Sequence, residues 1–223
     1  MAKVIIWMSY LNDIGGIETF VYNFCKRMSK HYKITLLFGG GDPSRLMAIS
    51  QYADVLKYTG QEFSCDTFIW ASAWGTNPEA TIKANRYIQM IHADYECIKG
   101  WNFKYKKPNK CTHHVAVGKH VGAQFEKVTS NTIDQVIYNL VDDEVNHLVK
   151  HKNDDLKLIT VSRISPEKGF SRMITMLTKL NEGNVKYTWD IYGNTSSDYA
   201  QGIVSKLSRF DGVKFHGVLL LYL

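Results

Sequence analysis

Leu158-Ile159-Thr160-Val161-Ser162-Arg163-Ile164-Ser165-Pro166-Glu167-Lys168-Gly169-Phe170 is the stretch on which the fold turns. Its apolar start predicts a buried parallel strand over 156–161, which delivers Arg163 at its C-terminal end. Ser165-Pro166-Glu167 then predicts a helix near 167–180, with Ser165 as the cap and Pro166 in the first turn. Open α/β sheets bind ligands at the edge where strands hand over to helices. Arg163 offers a planar fork, Lys168 a compact cation, and the helix end free N–H groups. Together they suit a diphosphate, through charge-assisted hydrogen bonds of about 1.5–3 kcal/mol each. Spacing alone leaves a second reading open, a surface arginine and lysine beside an ordinary helix start.

Outward from this stretch the same alternation repeats in both directions. Val4-Ile5-Ile6-Trp7-Met8 predicts a buried strand, broken by Asn12-Asp13-Ile14-Gly15-Gly16 and followed by Ile17, Phe20, Val21 and Phe24 at helical spacing. Further strands are predicted over 34–38, 54–58, 67–71, 87–91 and 114–117, with helical segments of about ten residues between several of them. The polar run from Asn139 to Asp155 carries the domain boundary, giving an N-terminal domain at 1–145 and a C-terminal one at 146–223. The second domain shows strands over 156–161, 187–192 and 213–216 and helices near 167–180 and 198–210. That is fewer strands than sheets usually have. The expectation is therefore α/β with two doubly wound, Rossmann-like domains, the second incomplete and closing on the apolar Val218-Leu219-Leu220-Leu221-Tyr222-Leu223.

Composition narrows the function classes. Apolar residues make up 45% of 223, enough for a real core, and the net charge of +6 is spread over both halves. A mild excess of this kind favours anionic small molecules or an anionic surface over nucleic acid. Cys25, Cys65, Cys97 and Cys111 match no disulfide framework and are expected to be reduced. No leader and no apolar run of about 20 residues is visible, so the expectation is a cytoplasmic protein. Lys99-Gly100-Trp101-Asn102-Phe103-Lys104-Tyr105-Lys106-Lys107-Pro108-Asn109-Lys110 holds five lysines and three aromatics without an acid. It reads as a solvated loop, as a surface for single-stranded nucleic acid, or as a contact with an anionic membrane face or a lipid-diphosphate acceptor. His92, Cys97, Cys111, His113 and His114 fall close together, but their spacings fit no closed zinc pattern. If 113–114 is strand, the two histidines point to opposite faces.

Several stretches in register carry a resemblance. Val161-Ser162-Arg163-Ile164-Ser165-Pro166-Glu167-Lys168-Gly169 resembles the V-x-R-[LI]-x-x-x-K-G signature of the retaining glycosyltransferases of family 4. Asp13-Ile14-Gly15-Gly16-Ile17-Glu18 resembles that family's N-terminal Gly-Gly loop. Val115-Ala116-Val117-Gly118-Lys119 resembles its strand–helix turn, with Gly118 where Ser is usual. Val136-Ile137-Tyr138-Asn139-Leu140-Val141-Asp142 resembles its interdomain segment, with Leu140 in the Gly/Pro place. Trp189-Asp190-Ile191-Tyr192-Gly193 and Val213-Lys214-Phe215-His216-Gly217 resemble its later strand ends.

The resemblance implies a GT-B-like fold and a hexosyltransferase of polysaccharide biosynthesis that uses a nucleotide-sugar donor, a UDP-sugar, and a glycan or lipid-linked acceptor. It implies that Arg163 and Lys168 hold the donor diphosphate, with Gly16 reaching it from the first domain. His92 would lie beside the transferred sugar, orienting it and helping to stabilise an oxocarbenium-like transition state. His216 would face the nucleotide, and Gly193 would leave room for it. No metal and no separate cofactor are implied, in keeping with the lack of any Asp-x-Asp. The loop over 99–110 would meet the inner face of the membrane. The family's later E-x7-E element has no counterpart here, so the expectation includes a truncated chain that needs an oligomer or a complementing chain. The alternatives are a non-catalytic nucleotide-binding remnant and, more distantly, a nucleotide-dependent sugar epimerase.

Overall fold

A computed structural model of the chain describes residues 1–12, 15–72, 77–96, 104–140 and 155–218. Asp13 and Ile14 of the glycine loop, Cys97, Lys99 to Phe103, most of the polar run with Asp142-Asp143-Glu144, and Leu219 to Leu223 lie outside these. The chain separates into two compact units, Met1–Val145 and Asn146–Leu223.

In the first unit the apolar runs become strands because parallel pairing buries them on both faces. β1 (Lys3–Leu11) buries Val4 to Met8 and pairs with β2 (Lys33–Gly41) on one side and β4 (Phe63–Trp70) on the other. β3 (Asp54–Lys57), β5 (Ile82–Ile91), β6 (His113–Ala116) and β7 (Gln135–Val136) complete a sheet of order β3-β2-β1-β4-β5-β6-β7, all parallel. The order reverses between β1 and β4, which makes their shared edge the topological switch point.

Helices α1 (Gly16–Met28) and α2 (Pro43–Ser50) cover one face, packing Phe20, Val21 and Cys25 on Val4, Ile6, Leu36 and Ile69. α2 starts cleanly because Asp42 accepts from the N–H groups of Ser44 and Arg45, with Pro43 beside it. On the other face α3 (Lys119–Thr129) packs Phe125 against Ile91, Tyr95 and Ala116. The rest of that face is sealed by aromatic contacts among Trp7, Tyr58, Phe68, Trp70 and Tyr87. Between β3 and β4 the five residues 58–62 are too few for a helix, and among the described residues before β5 a 3-10 turn forms, Glu79–Thr81.

The second unit has β8 (Leu156–Val161), β9 (Tyr187–Tyr192) and β10 (Val213–Phe215) in the parallel order β10-β9-β8. α4 (Phe170–Glu182) and α5 (Asp198–Leu207) cover one face, where Phe170, Leu177, Trp189, Ile191, Ile203 and Leu207 form the core. The opposite face leaves Ile159 68% and Val161 58% exposed.

The helix predicted from 167 is corrected. Pro166–Lys168 is a 3-10 turn, Gly169 adopts a left-handed φ of 74°, and the α-helix begins only at Phe170. Phe170 is fully buried at that helix start. Phe170→Ala should lower unfolding free energy by about 3–5 kcal/mol, seen as a reduced urea midpoint. A loss below 1 kcal/mol would show that the α4 start is not part of the core.

Candidate functional site

The ligand edge of the first sheet is built where β1 ends. Glu18, in the first turn of α1, is buried and reaches back to the strand end, accepting from the Asn12 side-chain amide at 2.9 Å and from the Asn12 backbone N–H at 3.3 Å. A carboxylate there is favoured by the helix dipole. Gly15 precedes the helix with no side chain capping it, and its φ of 172° is extended backbone that any residue adopts. A Cβ on Gly15 would run into the Glu18 carboxylate, whereas one on Gly16 would meet nothing. The fold itself does not require glycine at 16. What Gly16 leaves is open space above the first N–H groups of α1, which have no intrahelical acceptor.

His92 follows β5 at the same edge. Its ring stands edge-on to Phe20, centroids 4.9 Å apart, and its Nε2 is buried with no hydrogen-bond partner among the described residues. Burial pushes its pKa down from 6.5 to about 4, against a smaller upward pull from the Glu18 carboxylate. At neutral pH His92 is therefore a neutral imidazole. The first unit thus brings the Gly16 loop, Glu18 and His92 into one neighbourhood.

In the second unit Arg163, Gly193 and His216 follow β8, β9 and β10, so parallel pairing sets all three on one edge. Arg163 is 78% exposed along its side chain, with Nη2 3.6 Å from Glu167 Oε1. Glu167 is held below the usual carboxylate range, chiefly by the Ser165 hydroxyl, which donates to it at 2.6 Å, and further by Arg163 and Lys168. Ser165 was expected to cap the helix backbone; its hydroxyl serves Glu167 instead. An exposed pair such as Arg163–Glu167 contributes about 0–1 kcal/mol, so a ligand with more charge can draw the guanidinium away. Lys168 is exposed at the end of the 3-10 turn.

Gly193 has an internal reason to be glycine. A Cβ there would overlap the Ser162 carbonyl oxygen, so the ends of β8 and β9 could not stay this close. Its N–H donates to the Gly217 carbonyl at 2.7 Å. His216 is tied down twice: its Nε2 lies 2.6 Å from Asp190 Oδ1, and its ring stacks on Tyr192 at 4.7 Å and 17°. Sequence reasoning missed Glu18, Asp190 and Tyr192. The available signal for the last two was the period-two spacing that places both on one face of β9.

Other expectations resolve differently. Tyr105 is not displayed at the loop surface: its hydroxyl meets His114 Nε2 at 2.9 Å and its ring packs on Tyr95 and Phe125. Lys110 donates to the carbonyls of Glu79 and Ile82. Lys104, Lys106 and Lys107 remain exposed. His113 is exposed and His114 buried, as opposite faces of a strand require. No described residues form a group of three or more His, Cys, Asp or Glu that could hold a metal. No described helix is long and apolar enough to cross a membrane.

Because His92 has a lower pKa folded than its ordinary 6.5, its contribution to stability is full above pH 6.5 and is lost as pH falls toward 4. The loss is on the order of 3 kcal/mol. Urea unfolding at pH 7, 5.5 and 4 should show a shallower decline for His92→Phe than for the wild type, and equal slopes would overturn the buried neutral assignment.

No family model and no curated protein matches the sequence. Solved structures do. A crystal structure of Anabaena Alr3699/HepE in complex with UDP-glucose is similar with a TM-score of 0.71 at 13% identity, over 98% of this chain and 70% of that one. A glycosyltransferase from Rickettsia africae ESF-5 gives 0.64 at 12%, over 98% and 69%. The apo form of the lipopolysaccharide outer core galactosyltransferase WaaB gives 0.62 at 14%, over 98% and 68%. At such identities the likeness concerns the fold: this chain has the GT-B-like α/β architecture of two Rossmann-like units, the second with three described strands.

Proposed function

We propose that the chain binds a nucleotide-sugar donor, a UDP-sugar, and transfers its hexose with retention to a glycan or lipid-linked acceptor, as a member of glycosyltransferase family 4. One observation carries the reading. Arg163 and His216 stand on a single sheet edge, with Lys168 in the turn just after Arg163, in a fold shared with a protein whose crystal structure holds UDP-glucose. The six stretches in register with the family pattern support the finer assignment.

In this reading residues 146–223 hold the donor and 1–145 face the acceptor. Arg163 releases Glu167 and grips the diphosphate, with Lys168 adding charge. Both stabilise the negative charge that grows on the leaving diphosphate, so the step needs no metal. The open N-terminus of α1 at Gly16 offers N–H groups that suit an anion. His92, neutral and desolvated, orients the sugar by hydrogen bonding and not by charge. The protein works in the cytoplasm, with Lys104, Lys106 and Lys107 toward an anionic membrane face.

A second reading is favoured by one observation. Ile159 and Val161 lie exposed on an uncovered sheet face, which suits a nucleotide-binding chain that acts with a partner or as an oligomer.

Calorimetric titration of UDP and UDP-sugars tests the donor site. The wild type should bind, and Arg163→Ala/Lys168→Ala should weaken binding by roughly 100-fold or more, as expected for two charge-assisted contacts. A folded wild type that does not bind UDP, or a double variant that binds equally well, would sink the proposal.

A further inference from the structure

We infer that Asp190 is a positioning residue that locks His216 into one tautomer, so that the ring's free nitrogen reads the base of the bound nucleotide and selects uracil over cytosine. The inference rests on the nucleotide-binding reading above and goes beyond it by naming how the base would be chosen.

The geometry is specific. Asp190 Oδ1 lies 2.6 Å from His216 Nε2. An ionised carboxylate only accepts, so the ring nitrogen facing it must carry the proton. In the neutral imidazole the other nitrogen, Nδ1, is then left with its lone pair. No described residue hydrogen-bonds to Nδ1. Tyr192 stacks on one face of the ring at 17°, which together with the Asp190 contact favours this one orientation. A histidine held by a carboxylate at one nitrogen and by a stack on its face presents a fixed acceptor at the other nitrogen.

Placement matches a nucleotide. His216 follows β10 and Arg163 follows β8, with β9 between them. Two strand spacings amount to roughly 10 Å, commensurate with the reach of a nucleotide from base to diphosphate. With the phosphates at Arg163 and Lys168, the base end falls on the His216 side. Uracil carries a donor at N3 where cytosine carries a lone pair, so an acceptor in that plane favours UDP. It opposes CDP with two facing lone pairs. The Asp190 side chain touches no ligand in this arrangement and acts only through the ring.

Two measurements test the inference. Nitrogen-15 chemical shifts of the imidazoles should show His216 of the wild type protonated at Nε2 and bare at Nδ1. In Asp190→Ala the two tautomers should mix. In Asp190→Asn, which keeps an acceptor oxygen, the wild-type form should partly return. In parallel, calorimetry with UDP and CDP should give a wild-type preference for UDP of about tenfold, the worth of one hydrogen bond. Asp190→Ala and His216→Ala should bring that preference near unity while UDP still binds through Arg163 and Lys168. Equal binding of UDP and CDP by the wild type, an unchanged preference in Asp190→Ala, or a His216 protonated at Nδ1 would each overturn the inference alone. Failure of the folded wild type to bind either nucleotide would overturn the donor-site reading along with it.

Discussion

Every strand pair in both units runs parallel, and the arrangement of the site depends on this constraint. A parallel sheet sends all its strand ends to one edge, so residues far apart in sequence meet there without any further device. Arg163, Gly193 and His216 are separated by long helical crossovers, yet each is the first or second residue after a strand. In the first unit the same rule gathers Asn12 after β1 and His92 after β5, beside the order reversal between β1 and β4. Chemistry placed at strand ends is then supported by rigid elements, and the helices only have to cover the faces.

Electrostatics divides the two edges. The first is apolar around its titratable group: Phe20 and the sheet desolvate His92, and the carboxylate of Glu18 accepts from Asn12. Such an environment suits recognition of a neutral, hydroxyl-rich group, because an unpaired buried nitrogen gains most from a hydrogen bond. The second edge is charged and exposed. There Arg163 rests against Glu167, an arrangement that keeps the guanidinium near its working place but binds it weakly.

Much of this was legible in the sequence, and the gaps have physical causes. Ten strands form among the described residues. The apolar run at Val4 to Met8 announced its strand because burial on both faces demands continuous hydrophobicity. The run at Leu158 to Val161 gave its strand correctly but not its burial, since one face of β8 stays exposed. β7 was missed because two residues, Gln135 and Val136, carry no pattern. The start of α4 was misplaced because Ser165-Pro166-Glu167 has the letters of a helix cap. Gly169, in the left-handed region, ends that turn before the α-helix begins. Glu18 and Asp190 were invisible as site residues for a different reason. Their roles are pairings, with Asn12 six residues back and with His216 after the neighbouring strand, and a period that sets a face does not name the partner on it. Tyr105 misled in the opposite direction, since a lysine-rich neighbourhood hid an aromatic that belongs to the core around Phe125.

The open face of the second sheet connects architecture to recognition. In the β8–β9 register Ile159 sits beside Asp190 and Val161 beside Tyr192. These four share the face opposite Trp189 and Ile191, which α4 and α5 cover. Parallel sheets are ordinarily buried on both faces, and the exposed pair Ile159 and Val161 supplies the apolar surface that such a cover requires. Any element that packs there lies directly against the Asp190–His216–Tyr192 group. It would withdraw that group from water and strengthen the hydrogen bond that holds the histidine. Cover on that face and rigidity of the Asp190–His216 pair are therefore one physical event.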